Sequence, residues 1–322
     1  MNETGPRVSP VVPPDLRVSI LRSWSVLCAL LVAAAPLPAT DPTGPAASTP
    51  SAAPPLAPAA TSGVNIIAQA TARLKELVAR QDALLAALGK EDVDQDNIKR
   101  DLQNLIFDYD AFLRVYPAFA PGYVTYGLLL GKVGMRRESA AILLKANQLD
   151  SDLPLVKNQL GNYLAEEGEP LEAVNYFLAT IRLAPDEPLY HYQLGTLLTE
   201  ARDDFLKSGH WSRPQLDQAM HTAFRRAAEL APDNFAYAYR YAESFYDLAE
   251  PDWDGALKAW GALEERAAPG LEKETIRLHA ANILLKQKKF EHARLLLAMV
   301  TAESLKGQKQ KLLDQLAATP EK

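Results

Sequence analysis

The sequence has very little cysteine and no long hydrophobic run. Its one cysteine, Cys28, lies near the N-terminus of a chain of 322 residues. A single cysteine excludes an intramolecular disulfide and a site built on several thiolates. No apolar run approaches the roughly 18 residues that a membrane span requires. Disulfide-stapled folds, zinc fingers and proteins with several membrane spans are therefore excluded.

An excess of positive charge is also missing. The chain carries 34 Lys and Arg against 40 Asp and Glu, a net charge of −6, which argues against a general nucleic-acid-binding surface. Patterns typical of nucleotide sites, metalloproteases, serine hydrolases and thiol redox sites do not occur. We therefore expect no enzymatic activity, no cofactor and no metal site. Alternating runs of β-branched residues are absent as well, so no strand is predicted.

The first 39 residues have the pattern of an export signal. Arg17 and Arg22 precede an apolar stretch from Trp24 to Ala35, and a small-residue cleavage site ends at Ala39. This order is typical of a secretory signal peptide. We predict export, with a periplasmic location if the signal is cleaved. If it is not cleaved, residues 17–35 would tether the protein to the inner membrane, and this alternative stays open.

Residues 40–63 are rich in Pro, Ala and Thr and carry one charge, Asp41, a composition that predicts a disordered linker. From residue 64 onward, apolar residues recur every three or four positions, as expected for amphipathic helices. The first stripe begins with Ile66 and Ile67. Residues 64–119 are predicted to form an N-terminal helical hairpin, with Gly89 ending its first helix and Asp94 among the acidic caps of the second.

A period of 34 residues follows the hairpin. Gly127, Gly161 and Gly195 are separated by 34 residues each. In the unit 154–187, the apolar and small residues that follow this spacing are Leu160, Gly161, Leu164, Ala173, Phe177 and Pro185. Glycine allows two helices to approach closely, and proline ends the second helix of the unit. This unit resembles a tetratricopeptide repeat, although Lys157 and Thr180 depart from the family pattern.

Similar units occupy almost all of residues 120–304. They span 120–153, 154–187, 188–234, 235–270 and 274–304, and the third contains 13 additional residues. The resemblance implies an all-α fold, a right-handed superhelical solenoid of about five helix-turn-helix repeats. Residues 305–322 are predicted to form a capping helix and tail.

The resemblance also implies a concave groove that receives extended peptides. Its side chains come from the first helix of each repeat, on a stripe beside the packed one. In this sequence the corresponding positions, with one nearby arginine, are Asn158, Asn162, Tyr192, Thr196, Thr199, Tyr239, Arg240, Glu243, Tyr246 and Asn282. Because these positions are off the packed stripe, we expect the three tyrosines to contribute little to the core. The partner would be an unknown protein or peptide rather than a nucleic acid.

The insertion in the third repeat, residues 201–213, is predicted to lengthen both helices by nearly two turns, with Ser212 as a helix cap. Its aromatic residues would either protrude or fold back. The sequence as a whole favours a non-enzymatic interaction scaffold or adaptor outside the cytoplasm. One alternative is an inner-membrane-anchored assembly factor. Another is an enzyme or glycan-processing protein that uses residues 201–221, where His221 follows Asp217 by four residues on one helix.

Overall fold

The computed structural model describes residues 59–88 and 94–318, and within these ranges the chain forms helices and no strand. The predicted signal peptide, most of the predicted linker and the end of the tail lie outside the described residues. The α-helices are α1 (Ala59–Leu88), α2 (Gln95–Val115), α3 (Ala120–Lys132), α4 (Arg136–Leu149), α5 (Pro154–Glu166), α6 (Pro170–Leu183), α7 (Pro188–Glu200), α8 (Arg202–Lys207), α9 (Arg213–Leu230), α10 (Phe235–Ser244), α11 (Trp253–Arg266), α12 (Leu271–Lys286), α13 (Phe290–Ala298) and α14 (Lys306–Ala317). Short 3-10 helices occur at Phe245–Asp247 and Glu303–Leu305.

The helices form two compact units, which divide after Leu160. In the N-terminal unit, α1 packs on α2, α2 on α3, and α3 on α4. Tyr109 is fully buried there and stacks on Tyr126, with ring centroids 5.1 Å apart. Its hydroxyl donates to Gln81 Oε1 at 2.8 Å. A buried hydroxyl thus finds a buried acceptor, as an apolar core requires.

Helices α1 and α2 pair with each other and Asp94 has its predicted capping role, whereas two other details differ from the prediction. Gly89, the predicted end of the first helix, lies outside the described residues. Asp94 caps α2 by accepting from the backbone N–H groups of Asp96 and Asn97. Helix α1 begins at Ala59, inside the predicted linker. Ile66 and Ile67 are 54% and 59% exposed, so the buried stripe of α1 starts later than predicted, at Ala70.

The 34-residue period is visible in the helix boundaries. Helices α3, α5 and α7 begin at Ala120, Pro154 and Pro188, each 34 residues after the one before. One hydrogen bond repeats at twice this interval. Tyr123 Oη donates to the carbonyl oxygen of Pro117 at 3.2 Å, and His191 Nε2 lies 2.8 Å from that of Pro185. His191 therefore has a structural role, at the position that Tyr123 occupies two repeats earlier.

The periodic glycines stand where two helices of one repeat touch. A Cβ atom on Gly127 would lie 2.7 Å from Leu143, and one on Gly195 would lie 2.7 Å from Phe224. A Cβ atom on Gly161 would lie 2.9 Å from the Phe177 ring. Such distances are well inside van der Waals contact. The close helix crossing inferred from the sequence is therefore confirmed.

The insertion does not lengthen α7, contrary to the prediction. Helix α7 ends at Glu200, and the chain then forms the separate short helix α8. Phe205 on α8 is fully buried against α7 and α9, and Trp211 contacts its ring at a centroid distance of 5.9 Å. Burying these aromatic rings favours a segment folded back over one that protrudes into water.

Helix α9 is lengthened as predicted, but by about one turn. It has 18 residues, whereas the corresponding helix α6 has 14. Ser212 forms a capping box with Gln215, which confirms its predicted role.

In the C-terminal unit, three groups of helices enclose successive hydrophobic clusters. The first is built by α6, α7, α8 and α9, the second by α10, α11 and α12, and the last by α12, α13 and α14. The fifth repeat starts at Leu271 rather than at 274, because a turn with positive φ at Gly270 leads directly into α12. Leu312 and Leu316 of α14 cover the end of the core, as expected of a capping helix.

Candidate protein-binding face

All but one of the predicted groove residues lie in the C-terminal unit with half-buried side chains. They are Asn162 on α5, Tyr192, Thr196 and Thr199 on α7, Tyr239, Arg240 and Glu243 on α10, Tyr246 in the following 3-10 helix, and Asn282 on α12. Asn158, in the N-terminal unit, is only 1% exposed, and its Oδ1 has no hydrogen-bond partner. A fully enclosed amide cannot reach a ligand, so Asn158 is not part of the candidate face. That face is hereafter the set of the other nine residues together with Gln193.

The amide pair of Asn162 and Gln193 has unused hydrogen-bonding capacity. Gln193 Nε2 donates to Asn162 Oδ1 at 3.1 Å. Gln193 Oε1 is buried and has no partner. A buried acceptor without a partner costs about 1–3 kcal/mol. The Gln193 side chain as a whole is half-buried, unlike that of Asn158, so a rotation of its amide would bring this oxygen within reach of a donor such as the N–H of an extended peptide.

Tyr192 and Thr196 lie next to the amide pair on α7. Burial raises the pKa of the Tyr192 phenol, although the nearby Arg240 opposes this shift. The Tyr192 ring packs against Phe224 and Tyr237, at centroid distances of 5.8 and 5.0 Å. Thr196 Oγ1 donates to the carbonyl oxygen of Tyr192 at 3.0 Å, and the Thr196 hydroxyl is also hydrogen-bonded to the Tyr192 side chain. This end of the face therefore offers a neutral aromatic surface with hydrogen-bonding groups beside it.

The predicted groove residues of the fourth and fifth repeats bond to one another around His279. Tyr239 Oη lies 3.1 Å from His279 Nε2, and Tyr246 Oη donates to the His279 carbonyl oxygen at 3.0 Å. Asn282 is hydrogen-bonded to the Tyr246 side chain. The imidazole stacks on Trp260 with a centroid distance of 4.2 Å. Burial lowers the pKa of His279 to about 4, so the ring is neutral at pH 7.

The three tyrosine rings thus pack more extensively against the core than the sequence suggested. Tyr192 packs against the first hydrophobic cluster, and Tyr239 and Tyr246 pack against the second. The expectation that they contribute little to the core is wrong. Their rings are large enough to contact packed residues although their backbone positions are off the packed stripe. Burial raises the pKa of both Tyr239 and Tyr246.

Arg240 contacts four side chains of the protein itself. Its guanidinium carbon lies 4.4 Å from the centre of the Phe224 ring, a cation–π contact. Its Nη2 donates to Thr199 Oγ1 at 3.1 Å and to Asp247 Oδ2 at 3.5 Å. Its Nη1 donates to Glu243 Oε2 at 3.1 Å. Burial raises the pKa of Glu243, and the adjacent Arg240 partly offsets this effect.

The insertion adds two more arginines to this network. Arg202 Nη1 donates to Asp247 Oδ1 at 3.5 Å, and its Nη2 lies 3.7 Å from Asp217. Arg213 Nε donates to both carboxylate oxygens of Asp217, at 2.8 and 2.7 Å, and its Nη2 donates to the carbonyl oxygen of Asp247 at 3.0 Å. The Ala249 backbone N–H also donates to Asp217. The third repeat is thereby fastened to the segment that follows α10.

The structure does not unite Asp217 and His221 into a catalytic or metal-binding pair. Asp217 is bound by the two arginines, and His221 Nδ1 lies 2.8 Å from Ser244 Oγ. The His221 ring packs edge-on against Phe245, and burial lowers its pKa. Within residues 59–88 and 94–318, no group of three or more His, Cys, Asp or Glu could hold a metal ion. His221 therefore has the environment of a packed core histidine.

Five residues of the face and its ion-pair network were not identified from the sequence: Gln193, His279, Arg202, Arg213 and Asp247. Gln193 follows Tyr192 directly, and extending the groove stripe by one position would have included it. His279 lies in the first helix of the fifth repeat, but nothing in the sequence shows that its ring stacks on Trp260. Arg202 and Asp247 are 45 residues apart, and no local pattern links them.

Comparisons with known proteins agree with the helical-repeat architecture. No family model matches this sequence. A stretch of 123 residues is 30% identical to a TPR repeat-containing protein of Treponema pallidum strain Nichols. That stretch covers 38% of this chain but spans only 15% of the relative's length.

Solved structures with similar folds include PilF of Pseudomonas aeruginosa. The TM-score is 0.50 at 14% identity, covering 76% of this chain and 99% of that one. The Naa15/Naa10 complex bound to HypK-THB also has a TM-score of 0.50 at 14% identity, covering 75% of this chain and 34% of that one. At these identities the likeness shows the fold alone.

The described part of the chain contains no helix with the length and apolar character of a membrane span.

Proposed function

Because the described helices have the tetratricopeptide-repeat fold, we propose that this protein is a non-enzymatic scaffold that binds an extended segment of a partner protein. The single observation that carries the proposal is the amide pair of Asn162 and Gln193, with its buried and unpaired acceptor. Side-chain amides pair with peptide backbone groups without regard to sequence. The half-buried Tyr192 beside them offers contact area at little entropic cost.

Binding is expected to centre on α5 and α7, the first helices of the second and third repeats. The polar groups of Tyr239, Tyr246 and Asn282 are already used within the protein. A ligand that bonded to them would first have to break internal hydrogen bonds. At Gln193 Oε1 no internal hydrogen bond would have to be broken, because this acceptor has no partner.

The test is partner capture followed by affinity measurement with matched variants. The full chain would be immobilised and exposed to the exported fraction of the source organism, and retained proteins would be identified by mass spectrometry. The double variant Asn162→Ala, Gln193→Ala should lose the partner, with affinity reduced about tenfold or more. Asn175→Ala is the control, because Asn175 is exposed on α6 and bonds only to its own helix. Equal retention by the wild type and both variants would contradict the proposed face.

We also propose that the protein acts outside the cytoplasm, released by cleavage near Ala39. The Arg-flanked apolar segment and the Pro/Ala/Thr-rich segment after it support this. Determining the N-terminal sequence of the protein purified from its native host separates the alternatives. A mature chain beginning near residue 40 is the expected result, and a membrane-bound chain with an intact leader would favour the anchored assembly factor. An intact leader on soluble cytoplasmic protein would contradict both.

A further inference from the structure

The charged side chains at the centre of the candidate face form ion pairs with one another. Three guanidinium groups and three carboxylates form one connected network: Arg202, Arg213, Arg240, Asp217, Glu243 and Asp247. The formal charges cancel, three against three. Two of the guanidinium groups have two carboxylate partners each: Arg240 pairs with Glu243 and Asp247, and Arg202 pairs with Asp217 and Asp247.

The insertion supplies two of the three positive charges. Asp217 has a side chain only 3% exposed, and both of its cationic partners, Arg202 and Arg213, come from residues 201–213. Arg202 also reaches Asp247, which in turn holds Arg240. The insertion therefore acts on the face indirectly, because Arg202 holds Asp247, and Asp247 shares the Nη2 atom of Arg240 with Thr199.

An anionic ligand gains little from such a network. Both N–H groups of Arg240 Nη2 are already used, by Thr199 and Asp247, so a carboxylate that formed the bidentate pair with this guanidinium would have to displace an acceptor such as Asp247 and leave that half-buried carboxylate without its partner. Removing one partner from an enclosed ion pair is costly, since the remaining charge loses its compensation. Glu243 is 22% exposed and would also repel the incoming anion directly.

We propose that the insertion makes the face selective for an internal, uncharged segment of a partner chain, and that free C-terminal carboxylates are rejected. This inference rests on the proposed function, because it specifies the ligand class of the same face. The amide groups of Asn162 and Gln193 bind the backbone of such a segment, and the Tyr192 ring packs against its apolar side chains. The ion pair of Arg240 and Glu243 disfavours ligands that carry a negative charge.

The test uses two pools of short random-sequence synthetic peptides that differ only at the C-terminus, which is either an amide or a free carboxylate. Both pools would be passed over the immobilised full chain, and the retained peptides would be quantified by mass spectrometry. The wild type should retain the amide pool at least as well as the acid pool. Retention should change little between low and high sodium chloride, because screening weakens only charged contacts.

Glu243→Gln frees the Arg240 guanidinium from one of its carboxylates. This variant should shift retention toward the acid pool by about tenfold, the size expected for a charge-assisted hydrogen bond. Glu229→Gln is the control, because Glu229 pairs with Arg225 and Arg226 on α9 and is about half exposed. Thermal unfolding of both variants would verify that they are folded.

The outcomes separate this inference from the proposed function. If the wild type prefers the acid pool by about tenfold and high salt abolishes that preference, the inference is wrong while peptide binding stands. An unchanged ratio in folded Glu243→Gln would also overturn it. If neither pool is retained, or if Asn162→Ala, Gln193→Ala retains the amide pool as well as wild type, the proposed function itself fails.

Discussion

Adding one methyl group at Gly195 should destabilise the protein, whereas adding it at Gly261 should stabilise it. A Cβ atom on Gly195 would lie 2.7, 2.8 and 2.9 Å from three ring carbons of Phe224. Carbon atoms prefer separations of about 3.5–4.0 Å. Phe224 is fully buried, with the Arg240 guanidinium 4.4 Å from its centre, so its ring has little room to move. A Cβ atom on Gly261 would meet nothing within 4 Å.

The expected magnitudes follow from two opposing effects. Alanine is favoured over glycine in a helix interior by about 1 kcal/mol, and this gain applies at both sites. Overpacking at Gly195 costs about 1–3 kcal/mol. Gly195→Ala should therefore lose up to about 2 kcal/mol of unfolding free energy, which corresponds to a fall in Tm of about 4–8 °C at this chain length. Gly261→Ala should gain up to about 1 kcal/mol.

Urea unfolding followed by far-ultraviolet circular dichroism would measure both changes, with thermal unfolding as a second assay. Phe224→Leu in the Gly195→Ala background provides a further check, because the smaller side chain should relieve part of the clash. A coupling free energy above about 0.5 kcal/mol is expected between these two contacting sites. If Gly195→Ala stabilised the protein as much as Gly261→Ala, the argument from close helix crossing would be refuted.

The remaining predictions test the repeat register, the insertion and the acid response. Gly161→Leu should lower the Tm clearly, because even its Cβ would lie 2.9 Å from the Phe177 ring; an unchanged Tm would show that the register is wrong. Asp217→Asn should cost on the order of 3 kcal/mol in urea unfolding, since the enclosed Arg202 loses one of its two carboxylate partners and the half-exposed Arg213 loses its own, and a loss below about 1 kcal/mol would argue against this network. His279 has a folded pKa of about 4 against 6.5 when unfolded, so its contribution to stability is complete above pH 6.5 and falls as the pH is lowered toward 4. In His279→Phe, the urea midpoint of unfolding should depend less on pH across this range. If it depends on pH as steeply as in the wild type, His279 is not a cause of the loss of stability. Changing Tyr192, Tyr239 and Tyr246 together to Ala should lower the Tm by many degrees, because all three rings pack against the core; a Tm within a few degrees of wild type would contradict this assignment.

The candidate face could be located from the sequence only as a set of helix positions. Counting along each repeat identified Asn162, Tyr192 and Glu243, since the first helices share one register. The same counting included Asn158, which is enclosed, and missed Gln193, which directly follows Tyr192. Position along a helix gives the direction of a side chain, but its exposure depends on which neighbour covers it.

The sequence by itself determined the helical repeat. Apolar residues at intervals of three and four set the helices, and prolines and capping residues such as Asp94 and Ser212 set where they begin. Glycines spaced by 34 residues set which helices cross closely, and the Gly195 contact with Phe224 is retained across the 13-residue insertion. These features are local or periodic, so they can be recognised without knowing which distant residues meet.

Only the tertiary structure decided how the insertion folds and what the polar residues do. The meetings of Arg202 with Asp247 and of Tyr239 with His279 join residues 45 and 40 positions apart. No spacing rule predicts such pairs, because they depend on how neighbouring repeats pack and on which rings fill the space between them. The same packing turned Asp217 away from His221 and toward two arginines of the insertion. Burial makes an unpaired charge costly, so the charged side chains take the partners that the packed helices bring within reach.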